Sequence, residues 1–242
     1  MELHGIKQSA STGGSFCYTG TMFIALGDAY ELLPKMPVAD LILTDPPYNI
    51  SRENNFSTMG NRQGLDFGEW DKGFDALSWL ELAVDRLSKN GSIIIFCSFY
   101  QISYIIERLE SLGLKYKDTI RWVKPNPMPR NRDRRYVWDA EYAVWCARGK
   151  WTFNRLSDKY DRPEIVCATP SKRLHPTQKP VQLMEALIRR HSNPGDIVLD
   201  PFMGSGTTGV AAMKLGRKFY GIEKDAKFFS VAQDRMAACS KL

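Results

Sequence analysis

The fold is decided by the stretch "DIVLDPFMGSGTTGVAAMKLGRKFYGIEKD", residues 196–225. An apolar run ends at Asp200, a loop with Gly204 and Gly206 follows, and an Ala-rich helical segment leads into a second apolar run that ends at Glu223. Glycines at a strand end let the backbone approach a ligand closely. In mononucleotide-binding folds an acid roughly 20 residues further on, at the tip of the second strand, binds the ribose hydroxyls. The stretch therefore predicts a strand, loop, helix and strand that bind a nucleotide-like cofactor.

Outside this stretch, short apolar runs alternate with helical patterns, which is the order that builds βαβ units and a parallel sheet. We expect one α/β domain over residues 1–242, with a doubly wound, mostly parallel seven-stranded sheet of Rossmann-like type and inserted loops. The predicted strands span residues 21–26, 40–44, 92–97, 116–123, 141–146, 197–200 and 218–222. Helices are predicted near residues 28–35, 74–89, 100–112, 177–192, 206–215 and 225–238.

A second motif, "LTDPPYNI" at residues 43–50, places a carboxylate directly after an apolar run and follows it with two prolines and a tyrosine. The exocyclic amine of a nucleobase is a weak nucleophile, because its lone pair is delocalised into the ring. Asp45 offers a carboxylate and Pro46 a carbonyl to the amine hydrogens, and Pro47 restricts the backbone that holds them. Tyr48 offers a face on which an extruded base can stack. The alternative is a proline turn in which Asp45 only caps a helix.

The positive charge is concentrated in one segment, residues 121–135, "RWVKPNPMPRNRDRR", which holds six basic residues against one acid in a chain of net charge +6. Five of the six are arginines, and Trp122, Tyr136 and Trp138 lie within or beside the segment. Arginine binds phosphates through paired donors and aromatic rings stack on bases, so this composition favours a nucleic-acid partner over an ordinary solvated loop. The residues predicted to contact the nucleic acid are Arg121, Lys124, Arg130, Arg132, Arg134 and Arg135.

Cysteine spacing and hydropathy exclude several other classes of protein. The five cysteines lie far apart without a CxxC pair, so neither a zinc site nor a disulfide framework is predicted, and no metal is expected. No apolar run approaches the roughly 20 residues of a membrane helix, and the N-terminal residues lack the apolar core of a signal peptide. We therefore expect a cytoplasmic protein without a membrane partner.

Six motifs together resemble the amino-group DNA methyltransferases, and their order resembles the β class of that family. They are "GDAYELL", "DPPYNI", "NGSIIIF", "WVKPNPMP", "HPTQKP" and "DPFMGSGTT", and they span nearly all of residues 20–238. The resemblance implies methyl transfer from S-adenosylmethionine to N6 of adenine in DNA, as in short bacterial enzymes that accompany restriction systems. It also implies a catalytic half at about 20–123, a DNA-contact and target-recognition segment at about 124–174 and a cofactor-binding half at about 175–238.

The resemblance assigns roles to four of these motifs. "GDA" would contact the cofactor's adenine, and "HPTQKP", including Lys179, would close over its methionine end. The hydroxyls of the glycine loop would bind the methionine carboxylate at a helix N-terminus, where the helix dipole favours an anion. The predicted catalytic residues are Asp45, Pro46, Pro47 and Tyr48. The predicted cofactor-binding residues are Asp28, Ala29, Asp45, His175, Thr177, Asp200, Phe202, Gly204, Ser205, Gly206, Thr207 and Glu223.

Three alternative functions compete with adenine methylation. Methylation of N4 of cytosine is the nearest, because that amine is equally conjugated; in the family an Asp at the first motif position indicates adenine and a Ser cytosine, so Asp45 favours adenine. A nicotinamide-dependent oxidoreductase would use the glycine loop but leaves "DPPY" and the arginines unexplained. A DNA-binding regulator without activity is disfavoured by the intact Asp45 and Tyr48. A homodimer and a cognate restriction endonuclease are the further candidate partners.

Overall fold

The computed structural model describes residues 16–48, 75, 77–127, 133–134, 136–171 and 177–239. Within these ranges nine strands form one sheet. The strands are β1 (Phe16–Thr19), β2 (Met22–Leu26), β3 (Ala39–Thr44), β4 (Leu87–Cys97), β5 (Lys115–Val123), β6 (Ala140–Ala147), β7 (Glu164–Val166), β8 (Ile197–Asp200) and β9 (Lys218–Glu223). Their order across the sheet is β1-β2-β9-β8-β3-β4-β6-β5-β7.

The centre of the sheet is parallel. β2, β9, β8, β3 and β4 run parallel to one another in that order. β6 is antiparallel to both β4 and β5, and β1 is antiparallel to β2. The mostly parallel α/β sheet is therefore confirmed, and each of the seven predicted strands is present in it.

The predicted count of seven strands is wrong, because the described sheet has one further strand at each edge. β1 has four residues and β7 has three, and both residues at the ends of β7 are exposed. An edge strand bonds to a neighbour on one side only, so it can be short and half-exposed. Neither strand therefore produced the apolar run on which the sequence prediction relied.

Six α-helices accompany the sheet in the described ranges. The predicted helix over 74–89 is too long, because Leu87 already pairs with Ala39 as the first residue of β4. The pairing of β3 with β4 is irregular just after this point. Position 91 requires a glycine, because a Cβ there would lie only 2.7 Å from the Leu87 side chain. The helices are α1 (Ala29–Leu32), α2 (Trp79–Asp85), α3 (Ile102–Ser111), α4 (Val181–His191), α5 (Thr207–Lys214) and α6 (Ala226–Cys239), with 3-10 turns over Leu33–Lys35 and Phe99–Gln101.

The helices cover both faces of the sheet, which confirms the doubly wound arrangement. Buried residues of α4, α5 and α6 form one core with one face, and those of α1, α2 and α3 form a second core with the other. None of the helices in the described part of the chain is long and apolar enough to cross a membrane. In such a sheet the carboxyl ends of the parallel strands lie along one edge, where ligands bind. That edge carries the loops after β2, β3, β8 and β9.

Candidate active site

Asp200, at the end of β8, joins the two loops predicted for the cofactor and for catalysis. Its carboxylate is buried and accepts a hydrogen bond from Thr44 Oγ1 at 2.7 Å, at the end of the adjacent β3. The same oxygen accepts the Phe202 amide at 3.1 Å, which fixes the first turn of the glycine loop. Burial raises the pKa of the Asp200 carboxyl to about 6. These contacts make Asp200 an anchor that sets the glycine loop against the segment that begins at Asp45.

Glu223 occupies the tip of β9, as predicted. One carboxylate oxygen accepts the Gly204 amide at 2.8 Å and the other accepts the Asp225 amide at 2.8 Å. Burial raises the pKa of Glu223 to about 7, although the amide hydrogen bonds oppose the rise. A carboxylate in this position, beside the backbone of the glycine loop, suits the two hydroxyls of a ribose, which are hydrogen-bond donors.

Gly206 and Gly209 each need to be glycine, for a different structural reason. Gly206 has a left-handed conformation at φ 77°, and a Cβ there would lie 2.9 Å from Ala232 on α6. Gly209 lies inside α5, where a Cβ would meet the Met236 sulfur at 2.4 Å. Gly204, Gly206 and Gly209 also match the GxGxxG spacing of dinucleotide-binding loops. Glycine spacing alone therefore does not separate a dinucleotide from a smaller adenosine cofactor.

Arg235, on α6, contacts the glycine loop from behind and was not predicted. Its guanidinium donates to the Ser205 carbonyl, to Ser205 Oγ at 3.0 Å and to Thr207 Oγ1 at 3.3 Å. Both Ser205 and Thr207 are buried. Their hydroxyls are engaged by Arg235 in this structure, so contact of these hydroxyls with a methionine carboxylate stays a prediction.

The loop after β2 places Asp28 beside the same edge. Asp28 caps α1 by accepting the Tyr30 amide at 2.9 Å, and its other oxygen pairs with Lys224 at 2.9 Å. Its neighbour Ala29 is buried. Phe202 packs edge-on against the buried Trp79 at 5.0 Å between ring centroids, so at least one side of its ring belongs to the core. Asp28 therefore serves as the N-cap of α1, and its contact with the cofactor's adenine remains a prediction.

The catalytic motif lies directly after β3, and its acid is held from two sides. Tyr48 donates its hydroxyl to Asp45 Oδ1, and Lys179 Nζ lies 2.5 Å from Asp45 Oδ2. The Tyr48 carbonyl accepts a hydrogen bond from Gln101 Nε2 at 3.3 Å, which ties the motif to the turn after β4. Pro46 is buried beside Asp45, and Pro47 is half-buried. The four predicted catalytic residues thus form one compact loop at the sheet edge.

Lys179 and Glu141 complete a chain of charges around Asp45. The Lys179 side chain is only 3% exposed, and its ammonium also lies 3.1 Å from Glu141 Oε2. Glu141 Oε1 in turn lies 2.6 Å from Lys124 Nζ. In this structure the Lys179 ammonium contacts Asp45, and the position at the methionine end of the cofactor that the resemblance implies for Lys179 stays a prediction. Glu141 was missed, because one acid in a predicted strand gives no signal.

Of the predicted DNA-contacting residues, Arg121 lies on β5 and Lys124 follows that strand directly. Lys124 pairs with Glu141, and Arg121 pairs with Glu164 on β7 at 3.3 Å while staying about half exposed. Arg134 is exposed.

Thr177, one of the predicted cofactor-binding residues, is half-buried. His175, Arg130, Arg132 and Arg135 lie outside the described residues, so their roles remain predictions.

Exposed aromatic side chains cluster beside the catalytic loop. Phe99, on the turn that carries Gln101, is 54% exposed and contacts Tyr100, Trp138 and Tyr142 at ring-centroid distances of 6.2, 6.2 and 5.6 Å. Trp138 is itself 57% exposed. Large rings in contact with one another and with solvent are the composition of a binding surface. This aromatic cluster, Phe99, Tyr100, Trp138 and Tyr142, was predicted from sequence only at Trp138.

Comparison with known sequences gives one family over most of the chain. Residues 39–234 match the N6/N4 methylase family, described as "DNA methylase". Among curated relatives, the Type II methyltransferase M2.DpnII of Streptococcus pneumoniae is 32% identical over 241 residues, covering 90% of each chain. The Type II methyltransferase M.HinfI of Haemophilus influenzae is 35% identical over 246 residues, covering 88% of this chain and 67% of the relative.

Solved structures give the same fold. The crystal structure of M1.HpyAVI in complex with SAM has a TM-score of 0.74 at 43% identity, covering 88% of this chain and 99% of the other. The PvuII DNA methyltransferase, described as cytosine-N4-specific, has a TM-score of 0.72 at 18% identity and covers 92% of this chain and 91% of its own. The second likeness concerns the fold alone.

Proposed function

Because the chain belongs to the N6/N4 DNA methylase family and is an S-adenosylmethionine-dependent DNA amino-methyltransferase, we propose that its target is N6 of adenine. The observation that carries the proposal is the position of Asp45, which follows β3 beside the glycine loop and faces Tyr48. An Asp at the first motif position is the form that resembles adenine-specific members of the family. A Ser would indicate cytosine.

The residues present fit the cofactor. Glu223 offers both carboxylate oxygens at the tip of β9, and the left-handed Gly206 brings the loop backbone to the N-terminus of α5. That N-terminus favours an anion such as a carboxylate. S-adenosylmethionine supplies a methyl group on a positively charged sulfur when it is bound. We assign the ribose to Glu223 and the carboxylate end to the loop around Ser205.

The chain itself acts on the target amine. Asp45 and the Pro46 carbonyl accept hydrogen bonds from the two amine hydrogens, which pulls the nitrogen toward a tetrahedral shape and frees its lone pair for attack on the methyl carbon. Tyr48 stacks on the extruded base, which offsets part of the few kcal/mol that base flipping costs. The methylated nitrogen then loses one proton, and we assign Asp45 as the base that receives it. Neither a metal ion nor a covalent enzyme intermediate is needed.

We place the DNA on the face that carries the aromatic cluster and the basic segment 121–135. Exposed rings next to Gln101 lie close to the base that Tyr48 would receive, and rings stack on bases without sequence preference. Arginine and lysine bind the phosphates. The names of the relatives, Type II methyltransferases, support a cognate restriction endonuclease as functional partner. A homodimer and a cytoplasmic location remain predictions.

The test of the base is mass spectrometry of nucleosides from DNA treated with the purified protein and S-adenosylmethionine. We expect N6-methyladenine to accumulate and N4-methylcytosine to be absent. The same DNA incubated without cofactor is the control for modification carried over from the host. N4-methylcytosine as the sole product would contradict the choice of base while leaving the family intact.

A further inference from the structure

The ammonium of Lys179 occupies a position that the reaction needs for another donor. It lies 2.5 Å from Asp45 Oδ2 and 3.4 Å from the Tyr48 hydroxyl. It also lies 5.5 Å from the centre of the Tyr48 ring and 5.1 Å from that of Phe96. A target amine that donates to Asp45 while its base stacks on Tyr48 requires part of the same space. Lys179 must therefore give up one hydrogen bond when the base enters.

Glu141 provides the alternative partner for that ammonium. Its Oε2 atom lies 3.1 Å from Lys179 Nζ, and its Oε1 atom is already paired with Lys124 at 2.6 Å. Leaving a buried cation without any carboxylate partner would strongly destabilise the protein. With two carboxylates around it, Lys179 can release Asp45 and remain paired with Glu141. The release needs only a small shift of the ammonium between two carboxylates that both lie within 3.1 Å.

We propose that Lys179 and Glu141 are positioning residues for methyl transfer: Lys179 keeps Asp45 ionised until the target base arrives, and Glu141 then holds the ammonium while Asp45 turns to the amine. This inference rests on the proposed function, because it presumes a nucleobase amine as substrate. It assigns a role to Glu141 that no sequence motif indicated. It also explains why Lys179 is buried beside the catalytic loop.

The electrostatics of the site predict in which direction each charged neighbour shifts the pKa of Asp45. The charged and titratable groups that act on Asp45 are Lys179, Glu141 and Tyr48, and Asp200 and Cys97 interact with it more weakly. Burial raises the pKa of Asp45, Lys179 lowers it, and Glu141 raises it. Burial alone would lower the pKa of Lys179, but Asp45 and Glu141 together raise it, so the lysine stays charged.

The direction of each pH effect follows from the need for an ionised Asp45. Transfer is lost as the pH falls through the pKa of Asp45, which produces an acid limb in the rate profile. Removing the positive charge of Lys179 raises that pKa, so the acid limb moves to higher pH. Removing the negative charge of Glu141 lowers the pKa, so the limb moves to lower pH. A merely structural role would reduce the rate without moving the limb in opposite directions.

The experiment measures single-turnover methyl transfer to DNA against pH for the wild type, Lys179→Met, Glu141→Gln and the charge-retaining Lys179→Arg. We expect Lys179→Met to shift the acid limb upward by roughly 1 to 3 pH units, the range for loss of a close opposite charge. Glu141→Gln should shift it downward, and Lys179→Arg should keep it near the wild-type position. Limbs that stay in place, or that move in the same direction, would overturn the proposal.

A second readout does not depend on activity. Carboxyl carbon NMR of the free protein follows the titration of Asp45 directly, and the same opposite displacements are expected for Lys179→Met and Glu141→Gln. If Lys179→Met does not fold, a downward displacement in Glu141→Gln carries the test, and its absence overturns the inference. A wild type that transfers no methyl to DNA defeats the proposed function. An active wild type with unmoved titrations defeats only the roles of Lys179 and Glu141.

Discussion

In the proposed function, Glu223 has to accept hydrogen bonds from the two ribose hydroxyls although its carboxylate is partly removed from water. Two backbone amides hold its oxygens in place, and burial raises its pKa to about 7. Below this pKa the carboxyl is protonated and one oxygen becomes a donor, which competes with the hydroxyls of the ribose. Cofactor affinity should therefore fall as the pH drops through the neutral range.

We predict that the Kd for S-adenosylmethionine, measured by calorimetry, weakens by about tenfold between pH 8 and pH 6, as protonation of a group with that pKa requires. Glu223→Gln, which cannot titrate, should bind weakly at both pH values with no such slope. A wild-type Kd that is flat over this range would show that the ribose is not held by an ionised Glu223.

The individual residues that could be predicted are those whose role follows from the residues next to them in the sequence. Asp45 and Glu223 each end an apolar run, which placed both at the sheet edge where the structure has them. Glu141 and Arg235 act through contacts with residues distant in sequence, Lys179 and the Ser205 loop. Their own neighbourhoods look like an ordinary strand and an ordinary helix, so no local pattern could reveal them.

Among the elements, the turn from β8 into α5 packs closely against α6 at Gly206. Gly206 is left-handed, and α6 passes so close that an added Cβ would meet Ala232 at 2.9 Å. Gly216, after α5, is also left-handed at φ 72°, but a Cβ there meets nothing within 4 Å. A substitution at Gly216 therefore tests backbone strain alone, whereas one at Gly206 adds a steric clash with α6.

We expect Gly216→Ala to lower the free energy of unfolding by about 1–2 kcal/mol, the cost of a left-handed alanine. Gly206→Ala should cost about 1–3 kcal/mol more, because α6 must move to accept the methyl group. It should also weaken cofactor binding, since the loop backbone shifts with it. Denaturant unfolding and calorimetry measure both effects, and equal losses in the two variants would contradict the packing argument.

Element prediction succeeded where burial was complete and failed where it was partial. The central strands β3 and β8 are almost wholly buried, as are residues 91–97 of β4, so their apolar runs were unambiguous. The edge strands β1 and β7 gain their structure from pairing with β2 and β5, and their sequences carry little of that information. Likewise, Leu87 reads as the end of a helix until its pairing with Ala39 is known.

Across the whole molecule, the two halves inferred from the motifs are interleaved in one sheet. β2 pairs with β9, and β3 pairs with β8, so the two strands from the C-terminal part of the chain lie between two strands from its N-terminal part. Thr44 and Asp200 consequently touch although 156 positions separate them. The loop that begins at Asp45 and the glycine loop, to which we assign catalysis and cofactor binding, are positioned by the same pair of strands, β3 and β8.

The central claim is that Asp45 holds the target amine, and its most direct test is methyl transfer by Asp45→Ala measured together with cofactor binding. The account predicts that the single-turnover rate on DNA falls by about 10²–10³-fold or more, the effect of removing one preorganised group from a reacting centre. Binding of S-adenosylmethionine, measured by calorimetry on the same preparation, should persist: Asp45 is also among the predicted cofactor-binding residues, but Glu223 and the glycine loop are unchanged in the variant. A variant that binds the cofactor and methylates DNA at the wild-type rate would contradict the account.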